Sequence, residues 1–449
     1  MDNFEKLGLC QALNKSLKKI GFKKPTPIQA EAIPFILAGK DLLGSASTGT
    51  GKTGAFAIPV IDRIISSNKD ECALIVTPTR ELAKQVINVF RDLLGPSNSI
   101  KACCLIGGEA IGKQLNQLKR NPRIIIGTPG RINDHLEKKS LSLKKTAYLV
   151  LDETDRMLDM GFGIQINQIL KFMPQERQTL MFSATFPKNI ITLSKKYLKN
   201  PERVTVDAEN TLSKNIKHEV INIDNSKKYN ILIEQLEKRK GAVLVFVKTK
   251  HSTEKIAKNL KRDGFKADAL NGDLRQSKRD RIMKNFRENK IRVLIATDIA
   301  SRGLDVRHLQ HVINFDLPQV AEDYIHRIGR TARAGASGEA ICFVSPNEGH
   351  LWLNIDMLLN PEAKHKYSTR GKSTNKSYKP KRKSSGKSSN GKNFADKPKR
   401  KSSGKSSNGK NFADKPKRKS SGKSSKKTVR SSDAKPKKRF YPAKKKTKK

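Results

Sequence analysis

The sequence predicts an α/β protein with two parallel-sheet domains in tandem and a disordered basic tail. Three observations point there. Short apolar runs alternate with longer helical patterns in two successive sets, a polar stretch separates the sets near residue 210, and the composition changes from Lys366 onward. Strand-sized runs alternating with helices imply parallel sheets covered on both faces, and 449 residues exceed what one core ordinarily organises.

In the first set the candidate strands are "DLLGSAS", "CALIVTPT", "RIIIGTPG", "YLVLDE" and "TLMFSAT"; in the second they are "HEVINI", "AVLVFV", "RVLIATD", "HVINFDL" and "EAICFV". The polar "DAENTLSKN" between them is the natural linker. Domains are therefore expected at 1–207 and 216–365, joined through 208–215, each the size of a single α/β domain.

The segment 366–449 is a different kind of polymer. It holds 33 of the 92 Lys and Arg residues but only Asp396, Asp414 and Asp433 among the acids. "KPKRKSSGKSSNGKNFAD" occurs at Lys379–Asp396 and again, unchanged, at Lys397–Asp414, with a partial copy from Lys415. That period has no apolar face to offset the cost of ordering, so the tail is expected to stay disordered. Its cations and its rings (Phe394, Phe412, Phe440, Tyr441) suit a sequence-tolerant nucleic-acid tether better than a merely solubilising tail.

The formal net charge of +50 points to a polyanionic partner, nucleic acid before membrane. No long apolar span occurs, and "MDNFEKLGLC" lacks a basic n-region and apolar h-region, so a cytoplasmic protein is expected. Cys10, Cys72, Cys103, Cys104 and Cys342 form no C-x-x-C pair and mostly lie in apolar runs, which favours buried free thiols over disulfides or zinc ligands.

The chemistry is expected at two places in the first domain. "ASTGTGKT", Ala46–Thr53, follows a strand and precedes the apolar-periodic "GAFAIPVIDRII", the context of a phosphate-binding loop. Its glycines let backbone N–H groups curl around phosphates, Lys52 supplies charge, and the Thr53 hydroxyl suits magnesium. The strict pattern asks for glycine where this chain has Ala46. About a hundred residues on, "YLVLDETD" places Asp152 and Glu153 at the carboxyl end of a buried strand, where open α/β sheets put their ligands. An Asp there can hold hydrated magnesium while a neighbouring Glu orients or deprotonates water.

With these motifs in hand, the chain resembles the DEAD-box ATP-dependent RNA helicases, two RecA-like domains in tandem. In family order it shows Phe4 ahead of "GFKKPTPIQ", then "ASTGTGKT", "PTRELA", "GG", "TPGR", "DETD", "SAT", "VFVKTK", "ATDIASRGLD" and "HRIGRTAR". "VLDETDRMLDMGF", "QTLMFSATFP" and "AEDYIHRIGRTAR" are most similar to the bacterial RhlE branch. The match covers nearly all of residues 1–365 and leaves out the tail.

The resemblance implies ATP and Mg²⁺ as cofactors and RNA, single-stranded or in short duplexes, as partner, with ribosomal RNA or ribonucleoprotein among the targets. It implies that Gln29 reads the adenine edge, Phe22 packs by the base, and Gly49, Thr50, Gly51, Lys52 and Thr53 wrap the phosphates. Asp155, Ser183, Thr185 and His326 would couple the acid site to the rest of the machine, and Gly303 and Asp305 would reach the ribose side. Arg330 and Arg333 would act as arginine fingers. RNA contacts would come from Arg80, Gly108, Thr128, Arg131 and Thr297, mostly to phosphate and sugar, so sequence preference should be weak. The implied cycle is a clamp that closes on ATP and RNA, bends the strand so that a duplex cannot persist, and reopens after hydrolysis. Simpler roles compete at single positions: Gly107, Gly108 and Gly303 as turn glycines, Phe22 as core, His326 as an interlobe hydrogen-bonding residue and Trp352 as packing of the last helix.

Two positions depart from the family pattern, Thr154 standing for alanine in the acid motif and Ala332 for glycine in "HRIGRTGR". Both leave every charged group in place. The competing functions are an RNA annealer or ribosome-assembly scaffold with incidental ATPase activity, and a DNA helicase of the same superfamily.

Because the tail carries charge but no ATPase motif, deleting residues 366–449 should leave RNA-saturated turnover nearly intact. It should also raise the RNA concentration needed to reach that turnover and flatten the dependence of affinity on salt. ATPase titrations with RNA at several salt levels, comparing the full chain with 1–365, measure this; unchanged half-saturation and salt slope would mean that the tail does not bind RNA.

Overall fold

The computed structural model describes residues 3–360 except 47–48, 68, 96–98, 185, 187, 207–214, 302–305, 307 and 333–336. Of the expected features, the tail, Thr185, Gly303, Asp305, Arg333 and all of the linker except Asn215 lie outside the described residues.

The strands are β1 (Leu42–Ser45), β2 (Cys72–Val76), β3 (Ala102–Leu105), β4 (Ile124–Gly127), β5 (Thr146–Leu151), β6 (Gln178–Ser183), β7 (Glu202–Thr205), β8 (Ile216–Asn222), β9 (Ala242–Phe246), β10 (Ala267–Leu270), β11 (Val293–Ala296), β12 (Leu309–Asn314) and β13 (Gly338–Val344). They form two sheets, ordered β3-β4-β2-β5-β6-β1-β7 and β10-β11-β9-β12-β13-β8. Neighbours in the first run parallel, with β1 seated between β6 and β7 and β5 between β2 and β6. The second sheet is parallel as well. The two-sheet α/β class is as the sequence predicts, and all ten expected runs contain a strand.

Parallel strands joined by helices are covered on both faces and must be apolar on both. Along β5, Val150 joins one core cluster while Leu149 and Leu151 enter the cluster on the opposite face. In β9, Val243 and Val245 face one way and Ala242, Leu244 and Phe246 the other. This two-sided burial explains why the strands read as continuous apolar runs. The five cysteines are free thiols, with Cys103, Cys104 and Cys342 buried. Trp352 packs in the last cluster, its ring stacked on His218 at 6.0 Å and edge-on to Tyr324. Among the described residues no helix is long and apolar enough to cross a membrane.

The carboxyl edge of the first sheet divides by strand order. β3, β4 and β2 lead into Gly107–Gly108, Thr128 and Arg80, whereas β5, β6 and β1 lead into Asp152–Glu153, Ala184 and the Lys52 loop. Two sets of candidate residues therefore occupy adjoining halves of one edge.

The glycine in β1 marks how closely that edge is packed. A Cβ at Gly44 would meet the Phe182 ring at 2.8 Å. Gly44→Ala should lower the unfolding midpoint, by an amount equivalent to roughly 1–3 kcal/mol of overpacking, and thermal melting with and without nucleotide checks this.

Candidate active site

The phosphate loop is shaped by glycine. Gly49 and Gly51 take φ of +89° and +97°, a region open to glycine at little cost, and Gly51 caps the helix Lys52–Ser66. That helix aims its positive end at the loop. Lys52 is buried, its Nζ donating to the Ala46 carbonyl at 2.8 Å. Ala46 is itself buried and is not among the described residues with positive φ; its N–H donates to the Ser183 carbonyl at 3.3 Å, so alanine is accommodated where the strict pattern has glycine.

Gln29 is held against this loop. Its Nε2 donates to the Gly51 carbonyl at 3.0 Å and its Oε1 accepts the Thr26 N–H at 3.0 Å. A Cβ on Gly54 would lie 2.5 Å from Gln29 Nε2, so glycine at 54 is what admits the amide. Phe22 is half-buried, with its ring 6.0 Å from that of Phe4. Thr50 and Thr53 are half-buried beside the loop.

The acids follow β5. Burial, then the adjacent Glu153, push the Asp152 carboxyl up to about 7, against the pull of Lys52. Glu153 donates its backbone N–H to Asp152 Oδ1 at 3.0 Å and sits at φ 50°, ψ 53°, left-handed geometry that costs a non-glycine residue about 1 kcal/mol. Non-glycine residues held in this region cluster at active sites. A buried pair of acids is a setting that suits a divalent cation. Magnesium binds through one or two carboxylates and a substrate's phosphates, a donor set to which Asp152 could contribute; no group of three or more His, Cys, Asp or Glu able to hold a metal ion occurs among the described residues.

Groups from the second sheet's half of the chain arrive at the same place. Asp155 accepts the Ala184 N–H at 3.4 Å through Oδ2, and His326 Nε2 lies 3.9 Å from that oxygen. Arg156 pairs with Asp323 and, at 3.4 Å, with Asp159. Arg330 is buried, its Nε donating to the His326 carbonyl at 3.2 Å. Ser183 is fully buried at the end of β6.

The other half of the first sheet's edge also meets the second lobe. The Arg80 guanidinium lies over Gly107 and Gly108, where added Cβ atoms would come within 3.1 and 2.5 Å of it, and Arg80 donates to Gln276 Oε1 at 3.0 Å. These glycines therefore make room for Arg80 as well as turning the chain. Lys84 bridges Glu109 at 3.2 Å and Asp280 at 2.9 Å, and Arg279 reaches Glu81 at 2.9 Å. Arg131 is oriented by Gln114 Oε1 at 2.9 Å and Asp134 at 3.2 Å, beside Thr128 at the start of its helix. Thr297 is half-buried just after β11.

Comparison with known proteins agrees with this architecture. Residues 26–193 match the DEAD/DEAH box helicase family and residues 227–335 the helicase conserved C-terminal domain. The chain is 43% identical over 349 residues to the DEAD-box ATP-dependent RNA helicase CshA of Geobacillus kaustophilus, covering 78% of this chain and 74% of that one. The ATP-dependent RNA helicase CshA of Listeria monocytogenes is 42% identical over 349 residues, 78% of this chain and 67% of that one. The chain belongs to the DEAD-box ATP-dependent RNA helicases. As such the helicase is an RNA-stimulated ATPase that acts on RNA. The structure of S. cerevisiae Dbp5 bound to RNA and ADP BeF3 superposes with a TM-score of 0.73 at 30% identity, covering 82% of this chain and 99% of that one. Mss116p bound to ssRNA and AMP-PNP gives 0.73 at 29% identity, covering 80% and 77%. The relatives named here carry the name CshA, so the family is established and the expected RhlE-like branch is not.

Several residues of the helicase escaped the sequence reading. Arg327 grips Asp298 with both arms at 2.6 and 2.7 Å, donates to Asn314 Oδ1 at 3.0 Å and lies 4.9 Å over the Phe246 ring, fixing the helix Ala321–Ile328 that carries His326. Gln276, Asp280, Asp323 and Lys84 were missed as well, because each is an ordinary surface residue type until the other lobe is beside it.

Both departures from the family pattern have local structural consequences. The buried Thr154 hydroxyl donates to the Leu151 carbonyl at 3.1 Å, so the extra polar group is satisfied. Ala332 sits at φ 53°, where glycine would be relaxed. Thr154→Ala and Ala332→Gly should each change RNA-stimulated turnover by less than about tenfold, roughly 1.4 kcal/mol. Ala332→Gly should also raise the unfolding midpoint by relieving backbone strain worth about 1 kcal/mol. Steady-state ATPase assays and melting curves measure both; loss of activity in either variant would contradict the assignment of these sites as tuning positions.

Proposed function

We propose that the helicase works as a two-lobe clamp in which ATP and RNA are bound along one sheet edge and completed by groups from the second lobe. In this reading the Lys52 loop with Thr50, Gly51 and Thr53 takes the phosphates, Gln29 and Phe22 take the base, and Asp152 with Thr53 holds Mg²⁺. The metal would neutralise phosphate charge. Glu153 orients and deprotonates the attacking water, and Arg330, joined by Arg333, meets the charge that develops in the transition state. Gly303 and Asp305 reach the ribose, while Asp155, Ser183, Thr185 and His326 link the acids to lobe closure. Closure would also position Arg80, Gly108, Thr128, Arg131 and Thr297 on RNA phosphate and sugar, bending the strand and destabilising a duplex, or remodelling a ribonucleoprotein, with weak sequence preference. The observation that carries this reading is the approach of His326 to within 3.9 Å of Asp155, with buried Arg330 bonded to the His326 carbonyl, beside the Asp152–Glu153 pair.

The domain limits 1–207, 216–365 and 366–449, a cytoplasmic location and the role of the tail as an RNA tether complete the proposal. The tail's charge and repeats support the tether.

Glu153→Gln tests the core of it. The variant should keep ATP bound through Lys52 and Asp152, lose two or more orders of magnitude in turnover, and accumulate a closed RNA complex. Nucleotide binding, single-turnover hydrolysis and RNA retention are the measurements, and near-normal turnover would refute the role of Glu153.

A further inference from the structure

Arg156 and Asp323 form an ion pair between chain segments 167 residues apart, with side-chain exposures of only 6% and 14%. Arg156 lies on the short helix Thr154–Asp159 that begins directly after Asp152 and Glu153. Asp323 lies in the first turn of Ala321–Ile328, one helical turn before His326 and ahead of Arg330. Arg156, Asp323, His326, Arg327 and Arg330 line one small interlobe recess. The pair thus ties together the two elements that carry the candidate acids and the candidate arginine finger.

We infer that Arg156 and Asp323 are positioning residues that set the register of lobe closure, so that Arg330 meets the nucleotide only when this pair is made. The inference rests on the clamp reading above. A nearly buried ion pair adds little net stability, because desolvation offsets most of its attraction, but closing in any other register would strand a charge away from water without its partner, which is costly. The pair therefore discriminates among closed arrangements more than it strengthens closure. Arg156 also pairs, at 3.4 Å, with Asp159 of its own helix.

The test uses the full chain with Asp323→Asn, Arg156→Ala and the double variant Arg156→Ala/Asp323→Asn, with Glu153→Gln as reference. Asp323→Asn keeps the side chain's shape and should melt within a few degrees of the wild type. It should bind ATP without RNA within about twofold of the wild type, yet lose at least tenfold in RNA-saturated turnover. Its RNA affinity should weaken with a non-hydrolysable ATP analogue and stay unchanged with ADP. The double variant, free of a stranded charge, should be no worse than the poorer single variant, a non-additivity expected only of interacting residues. Asp323→Asn turning over within twofold of the wild type with unaltered RNA affinity in the analogue state overturns the inference. So do equal losses of RNA affinity in both nucleotide states, or strictly additive effects, which would mark a general structural role. Normal turnover in Glu153→Gln would instead indict the clamp reading itself.

Discussion

A carboxylate removed from water resists ionising unless nearby positive charge offsets its burial. Asp152 is buried beside Glu153, with Lys52 the main opposing influence, and its carboxyl is pushed up to about 7. Lys52 is committed to the Ala46 carbonyl. In the proposed clamp a metal–nucleotide complex and the arginines of the second lobe would add positive charge there. Cations that arrive late stabilise charge that develops late, and they discriminate the transition state from the ground state.

In the proposed clamp one shared sheet edge would also let ATP and RNA influence each other without touching. Their candidate residues share the carboxyl edge of one seven-stranded sheet, β5, β6 and β1 serving one set and β3, β4 and β2 the other. The second lobe docks on both halves, through His326 and Asp323 at the acids and through Gln276, Arg279 and Asp280 at the Arg80–Lys84 turn. A rigid second lobe that makes both sets of contacts favours one closed arrangement, and any ligand that binds this arrangement preferentially helps the other.

The fold was legible in the sequence where burial is two-sided. Nine of the ten expected strands lie inside a sheet and are runs such as "AVLVF" that must be apolar on both faces; the exception, β8, is an edge strand that is only partly buried. The three strands that were missed, β3, β7 and β10, all lie at sheet edges and are four residues long, so packing demands less of them and their patterns are weak. The candidate site was legible where chemistry demands a residue type at fixed local spacing, as in the phosphate loop and the Asp152–Glu153 pair. The interlobe partners were not: nothing local distinguishes Asp323 or Gln276 from a solvated surface residue, since their roles depend on segments far away in the chain. The left-handed conformations of Glu153 and Ala332 were also hidden, because the sequence does not reveal φ at non-glycine positions.

The central claim is that hydrolysis needs groups from both lobes at once, and Arg330→Ala tests it most directly, with ATP affinity and RNA-saturated turnover measured on the same preparation. Because the residues proposed to hold ATP lie mainly on the first lobe, affinity should stay within a few-fold of the wild type, while turnover should fall by two or more orders of magnitude, about 3 kcal/mol of transition-state stabilisation. Turnover close to the wild type would mean that the first lobe is catalytically self-sufficient and would contradict the account.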